Sequence, residues 1–343
     1  LGTPADDREG EYRALGGGSP LPNTLLAVDP ADEKGPTPAK LAEQVYVTPW
    51  MDRFVLELAG RAIVELELGA DDVPDVLCLS LSAVDTAGHL FGPLSLEVTD
   101  VLLRLDRELG ALFALLDERL GRERWVLGFT SDHGVLELPE ELVARGIAAG
   151  RRTTREVQAS LTPARNALVE RFGLDPFHRQ DSSGVIFDRA AVRAAKLDLP
   201  EVRAAFRDEL LAASSEFWAH AWTFDEVERA AAVLFDGAEG EAPRDELPED
   251  ELLHLLAASF DAERSPDLFL VGPERVLLGE VGGTTHGTPY LYDRRIPLTF
   301  LGAGITHEVR TAPGSASIDL VPTLLDALGI DAGRPLDGVS RLR

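Results

Sequence analysis

Three short polar clusters hold the side chains best suited to chemistry. The first runs from Ser82 to His89 and contains Asp85 and His89, four residues apart. That spacing lets both side chains face one point across a turn. The second, Thr130-Ser131-Asp132-His133-Gly134, pairs an adjacent carboxylate and imidazole; on a tight loop both can reach one ion. The third, Gly282-Gly283-Thr284-Thr285-His286-Gly287, carries His286. Aspartate and histidine without cysteine form an N/O donor set that suits Zn²⁺ or a similar divalent ion. Two such ions ~4 Å apart would clamp the attacking and leaving oxygens of an in-line phosphoryl displacement. Any one Asp–His pair in a loop is more often a surface hydrogen bond than a metal site. Three clusters, each with glycine, make the stronger case. The hydroxyls of Ser82, Thr130, Ser131, Thr284 and Thr285 are read as satisfying loop backbone groups. His178, His220, His254 and His307 are read as structural or exposed.

The elements around these clusters explain how they could meet. Residues 75–82 read as a buried strand, apolar on both faces at its start. Residues 125–130 read as another, and the first two clusters directly follow these strands. Between Pro49 and about Leu68, Phe54, Val55, Leu58, Ala62, Ile63 and Leu66 recur at helical spacing. A stronger helical stripe runs through Val98, Val101, Leu102, Leu105, Leu109, Leu112, Phe113 and Leu116. Ser95 is its expected N-cap and Gly121 its stop. Helix and strand alternate over residues 50–133, which predicts an α/β fold with a mainly parallel sheet and helices on both faces. Ligands of such sheets bind beyond the carboxyl ends of the strands.

From residue 136 to 265 helical patterns dominate, over 137–148, 153–172, 189–196, 200–214, 223–235 and 249–260. This is read as a helical insertion or cap, with residues 1–135 and 266–343 forming the α/β core. Strand texture returns at 267–271, 275–278 and 296–301, and a last helix runs from about Ser317 to Leu328. The acidic stretch of Glu241, Asp245, Glu246, Glu249, Asp250 and Glu251 reads as a solvated helix start. Residues 1–44, punctuated by Gly16-Gly17-Gly18 and several prolines, read as surface loop.

Composition narrows the functional classes. The 343 residues are 45% hydrophobic, enough for a large core. With 33 basic and 59 acidic side chains the formal charge is −26, which opposes broad contact with a nucleic-acid backbone. It does not forbid a small anionic substrate. No apolar run reaches the ~18 residues of a membrane span. The single cysteine, Cys78, permits neither an intrachain disulfide nor a cysteine-based zinc knuckle. The chain opens on Leu1 without a signal-peptide pattern, as a processed or truncated chain would.

The motifs resemble a known family. Asp85-Thr-Ala-Gly-His-Leu-Phe-Gly-Pro93, Ser131-Asp-His-Gly134, and Thr285-His-Gly287 with Tyr290, Tyr292-Asp293 and Ile296-Pro-Leu298 are similar to the alkaline phosphatase superfamily. The nearest branch is the type I phosphodiesterase/nucleotide pyrophosphatase group, and within it the PafA-like alkaline phosphatases. The stretches Leu94-Ser-Leu-Glu97 and Leu103-Arg-Leu-Asp106 resemble the same branch. The resemblance implies a metal-dependent phosphoric ester hydrolase with two zinc ions and an alkaline-phosphatase-like fold. It places Asp85, His89 and His286 on one ion, a complete set, and Asp132 and His133 on the other, a partial one. It implies small phosphate-ester substrates and export to the periplasm or beyond the cell.

The family's further Asp ligand, its Thr or Ser nucleophile and its Lys/Arg phosphate contacts precede these motifs, and none is recognised before residue 44. The resemblance therefore predicts the C-terminal part of a longer enzyme. Alone, such a part would hold one ion well and a second poorly, hydrolyse weakly or not at all, and leave one sheet edge exposed. Two alternatives remain at this point. One is a non-catalytic metal-binding module. The other is a sulfatase-like member of the superfamily, although Cys78-Leu-Ser-Leu-Ser82 does not fit the Cys/Ser-x-Pro-x-Arg motif a sulfatase needs.

Overall fold

A computed structural model describes residues 42, 45–181, 184–237, 249–279, 282–305 and 314–342. The N-terminal loop region apart from Ala42 and Val45, the acidic residues Glu241, Asp245 and Glu246, and His307 lie outside the described residues.

The first part is helical. Helix α1 (Pro49–Glu65) starts on Pro49, whose fixed φ suits a first helical turn. Helix α2 (Ala83–Phe91) carries the first cluster, and α3 (Leu96–Leu120) is the 25-residue stripe expected from sequence. Ser95 caps α3 as predicted, its hydroxyl accepting the Val98 N–H at 3.2 Å, and Gly121 ends it with φ +84°. Leu56, Ala59 and Ile63 of α1 pack on Leu112 of α3, while Ala83, Ala87 and Phe91 of α2 pack on Val98 and Val101. The buried stripe of α1 is thus Asp52, Leu56, Ala59 and Ile63; of the stripe read from sequence Ile63 belongs to it, while Phe54, Leu58 and Leu66 are exposed. Helix α1 is apolar on two faces, and periodicity alone cannot say which one finds a partner.

Residues 75–82 join no ladder among the described residues, and Val76 is 85% exposed. The expected buried strand is therefore corrected to an irregular segment, exposed over residues 75–80, that leads into α2. Strand β1 (Val126–Thr130) pairs with β8 (Leu298–Gly302), and the pairing is antiparallel, Thr130 opposite Leu298. Helix α12 (Leu320–Leu328) lies on β1. A Cβ at Gly128 would sit 2.6 Å from Leu320, so glycine there permits the close approach.

The middle of the chain builds a second core. Helix α4 (Pro139–Ala144) precedes β2 (Gly150–Thr153), α5 (Thr154–Ser160) and α6 (Thr162–Phe172). A hairpin of β3 (Phe177–Asp181) and β4 (Gly184–Phe187) leads to α7 (Arg189–Ala194), α8 (Leu199–Ser214), β5 (His220–Thr223), α9 (Phe224–Gly237) and α10 (Glu249–Ala258). These helices match the predicted runs, with the break at Leu161 dividing one of them. Strand β6 (Leu268–Val271) lies between β4 and β5 in a four-stranded antiparallel sheet, so residues just past 266 pair with the helix-rich segment. Phe206, Leu161, Leu168, Leu210, Val185 and Leu268 fill the core. Strand β7 (Val276–Gly279) pairs in parallel with β2. The chain is an α/β protein as expected, but the mainly parallel sheet is not what the described ladders show: β2–β7 is the parallel one among them, and the others run antiparallel. No helix among the described residues is long and apolar enough to cross a membrane.

Candidate metal centre

Three hydrogen-bonded junctions bring the clusters together. Antiparallel pairing of β1 with β8 sets the loop after β1 beside the segment that leads into β8. There the Gly134 N–H donates to the Asp293 carbonyl at 2.6 Å. A Cβ at Gly134 would lie 2.2 Å from the Tyr292 carbonyl oxygen, so only glycine allows this contact. The second junction joins the third cluster to α2. The Thr284 N–H donates to the His89 carbonyl at 3.0 Å, and His89 Nδ1 lies 2.7 Å from the Thr284 carbonyl. Gly283 takes φ +60°, and a Cβ there would collide with the His89 carbonyl at 1.9 Å. The third junction is Asp52, whose Oδ1 accepts the Ala83 N–H at 3.0 Å and so anchors the start of α2 to α1.

These contacts gather four of the five predicted side chains at one point. His89 Nε2 lies 3.3 Å from Asp85 Oδ1, His133 Nε2 at 3.9 Å and His286 Nε2 at 4.0 Å. One donor atom each from Asp85, His89 and His286 lies within 4.8 Å of the others, the only such group of three among the described residues. The His133 and His286 rings stack with centroids 3.3 Å apart, and His89 and His286 are 5.0 Å apart. Asp132 is turned outward, its side chain 87% exposed, with Oδ2 3.6 Å from His133 Nε2.

The donor set fits a divalent cation. A carbonyl oxygen can only accept, so His89 carries its proton on Nδ1 toward Thr284, and His133 carries its proton on Nδ1 toward the Gly134 carbonyl at 2.9 Å. In that tautomer a neutral imidazole keeps its lone pair on Nε2, the atom that faces Asp85. A backbone carbonyl on the far nitrogen is the usual support of a metal-bound imidazole. Burial and the neighbouring His133 and His89 push the His286 proton affinity down, which favours the neutral ligand form. The four side chains are only part-buried, so the point where they meet opens to solvent.

Three of the five hydroxyls read from sequence as backbone partners behave so. Thr284 donates to the Leu136 carbonyl, Ser131 to the His133 carbonyl and Thr130 to the Pro297 carbonyl. His178 and His254 are exposed, and His220 stacks on Trp222. Sequence reasoning missed the residues that hold the ligand segments. Arg151, largely buried, donates to the Gly283 carbonyl while its guanidinium grips Glu140 at 2.7 and 2.9 Å. Asp52 and Asp293 are nearly fully buried carboxylates. Nothing in local pattern marks Arg151 or Asp52; Tyr292-Asp293 belongs to the motif but carries no sign of its role.

Comparison with known proteins agrees with the geometry. Residues 32–275 match the type I phosphodiesterase / nucleotide pyrophosphatase family. The chain belongs to this family. The match spans Asp85, His89, Asp132 and His133, and folding adds His286 from beyond it. Over 329 residues the chain is 28% identical to alkaline phosphatase PafA of Elizabethkingia meningoseptica, covering 93% of this chain and 54% of that one. Alkaline phosphatase PhoK of a Sphingomonas species is 32% identical over 291 residues, 81% of this chain and 48% of the relative. The crystal structure of wild-type PafA superposes with a TM-score of 0.72 at 26% identity, over 87% of this chain and 53% of that structure. The chain thus spans about half the length of the relatives it matches.

Proposed function

We propose that this chain carries the metal-holding residues of a phosphoric ester hydrolase of the alkaline phosphatase type. It acts on small phosphate esters in the periplasm or outside the cell. The observation that carries this reading is the convergence of three imidazole Nε2 atoms, from three separate parts of the chain, within 4.0 Å of one Asp85 oxygen. Its relatives include proteins named alkaline phosphatases.

Asp85, His89 and His286 are assigned to one zinc ion, and Asp132 and His133 to a second. Bound zinc supplies Lewis-acid charge to a phosphoryl oxygen and lowers the pKa of a coordinated water. Asp85 brings the negative charge that offsets the ion. The Thr284 and Gly134 carbonyls hold His89 and His133 in the tautomer that leaves Nε2 free. The nucleophile is a Thr or Ser hydroxyl whose oxygen bonds to phosphorus as the ester P–O bond breaks and the alcohol leaves; water then hydrolyses the phospho-enzyme. The hydroxyls of Thr130, Ser131 and Thr284 are engaged with backbone carbonyls and are not assigned that role.

Zinc titration of this chain against a chromogenic chelator tests the assignment. One ion is expected to bind tightly and a second more weakly, and a chain that takes up no zinc defeats the reading. Hydrolysis of an aryl phosphate monoester and diester by the protein as encoded then tests the activity.

A further inference from the structure

Asp293 is 4% exposed, and it touches both segments that bring histidine to the centre. Its Oδ2 accepts the Thr288 N–H at 2.8 Å and the Thr288 hydroxyl at 2.6 Å, closing the turn that directly follows His286 and Gly287. Its own carbonyl accepts the Gly134 N–H, fixing the loop of Asp132 and His133. Its Oδ1 is buried without a hydrogen-bond partner among the described residues. A buried carboxylate that lacks a full set of partners is costly unless a positive charge lies near.

We propose that Asp293 is a positioning residue whose charge is balanced by the cation held at Asp85, His89 and His286, so that it couples metal binding to the packing of the two histidine loops. The inference rests on the metal-centre reading above. In the metal-free chain the charge of Asp293 is a cost; with the ion in place it is an asset. A purely structural aspartate would show no such reversal. Its neutral isostere therefore separates the two roles. In Asp293→Asn an amide oxygen still accepts from Thr288, and the charge is gone.

The test measures zinc affinity by chelator competition and metal-free thermal stability by calorimetry, on wild type and Asp293→Asn. The zinc dissociation constant is expected to rise about tenfold or more, the range lost when an outer partner of a metal site is removed. The metal-free Tm is expected to stay level or rise. Zinc affinity within twofold of wild type overturns the inference, and so does weakened zinc binding accompanied by a lowered metal-free Tm, which marks a merely structural role. Failure of the wild-type chain to bind zinc overturns the metal-centre reading itself, and this inference with it.

Discussion

Two buried aspartates divide the molecule. Asp267, fully buried, is saturated: its Oδ2 accepts the Phe187 N–H at 2.9 Å, and its Oδ1 takes Arg189 Nε at 3.0 Å and Arg203 at 2.8 and 2.6 Å. Arg203 also reaches Asp225 at 3.2 Å and lies over the Phe224 ring. Asp293 is almost as buried, yet one of its oxygens is unmatched among the described residues. A polar network whose every member is matched specifies a core. A polar cluster left short of positive charge belongs to a place where something else binds. Around Phe206 the buried carboxylate is matched within the chain; near the Asp85 cluster one carboxylate oxygen of Asp293 is unmatched among the described residues.

Substitutions on the two sides should separate accordingly. The largest effect is expected at Asp267. Asp267→Ala leaves the buried Arg203 and the part-buried Arg189 with too few acceptors, and should cost on the order of 3–5 kcal/mol in urea unfolding while zinc affinity holds. A parallel loss of zinc affinity would show that the halves are not independent. Next is His286→Ala. Zinc affinity should fall by more than about a hundredfold, roughly 2.7 kcal/mol, with little change in metal-free stability because the ring is part-exposed. Retained affinity would shift the first ion's site to His133.

The smallest effect is expected at Asp52. Burial holds its carboxyl above the ordinary 3.8, so the folded chain binds that proton more tightly than the unfolded one. The charged form is a cost of folding at neutral pH, and the cost fades as pH falls through the raised folded value toward 3.8. Asp52→Asn keeps an acceptor for the Ala83 N–H. It should stabilise the chain by up to about 1 kcal/mol at neutral pH, and the gain should vanish on acidification. A gain independent of pH would place its origin elsewhere.

Much of this arrangement was legible in sequence. Helix α3 with its Ser95 cap, β1, and the helices from α4 to α10 follow from periodicity and capping chemistry, which are local. Donor chemistry and motif order pointed to the three clusters; the grouping of Asp85, His89 and His286 came from the family resemblance, and these side chains meet at one point. Strand direction was not: whether β1 meets β8 head-on or alongside depends on contacts some 170 residues apart. The apolar run at Val76, Leu77 and Leu79 read as buried because hydrophobicity records what a segment can bury against, not whether that surface is at hand. Asp52 and Asp293 look like any surface aspartate until folding encloses them.

The irregular segment at residues 75–82 has a consequence for the centre it feeds. It delivers α2, and hence Asp85 and His89, without a ladder of its own among the described residues; Asp52 and Thr284 are the polar clamps on that helix. The other two histidines hang from a paired strand and a closed turn. The rim that carries Asp85 and His89 thus owes its place to helix packing and those two clamps, and the rim of His133 and His286 to backbone pairing.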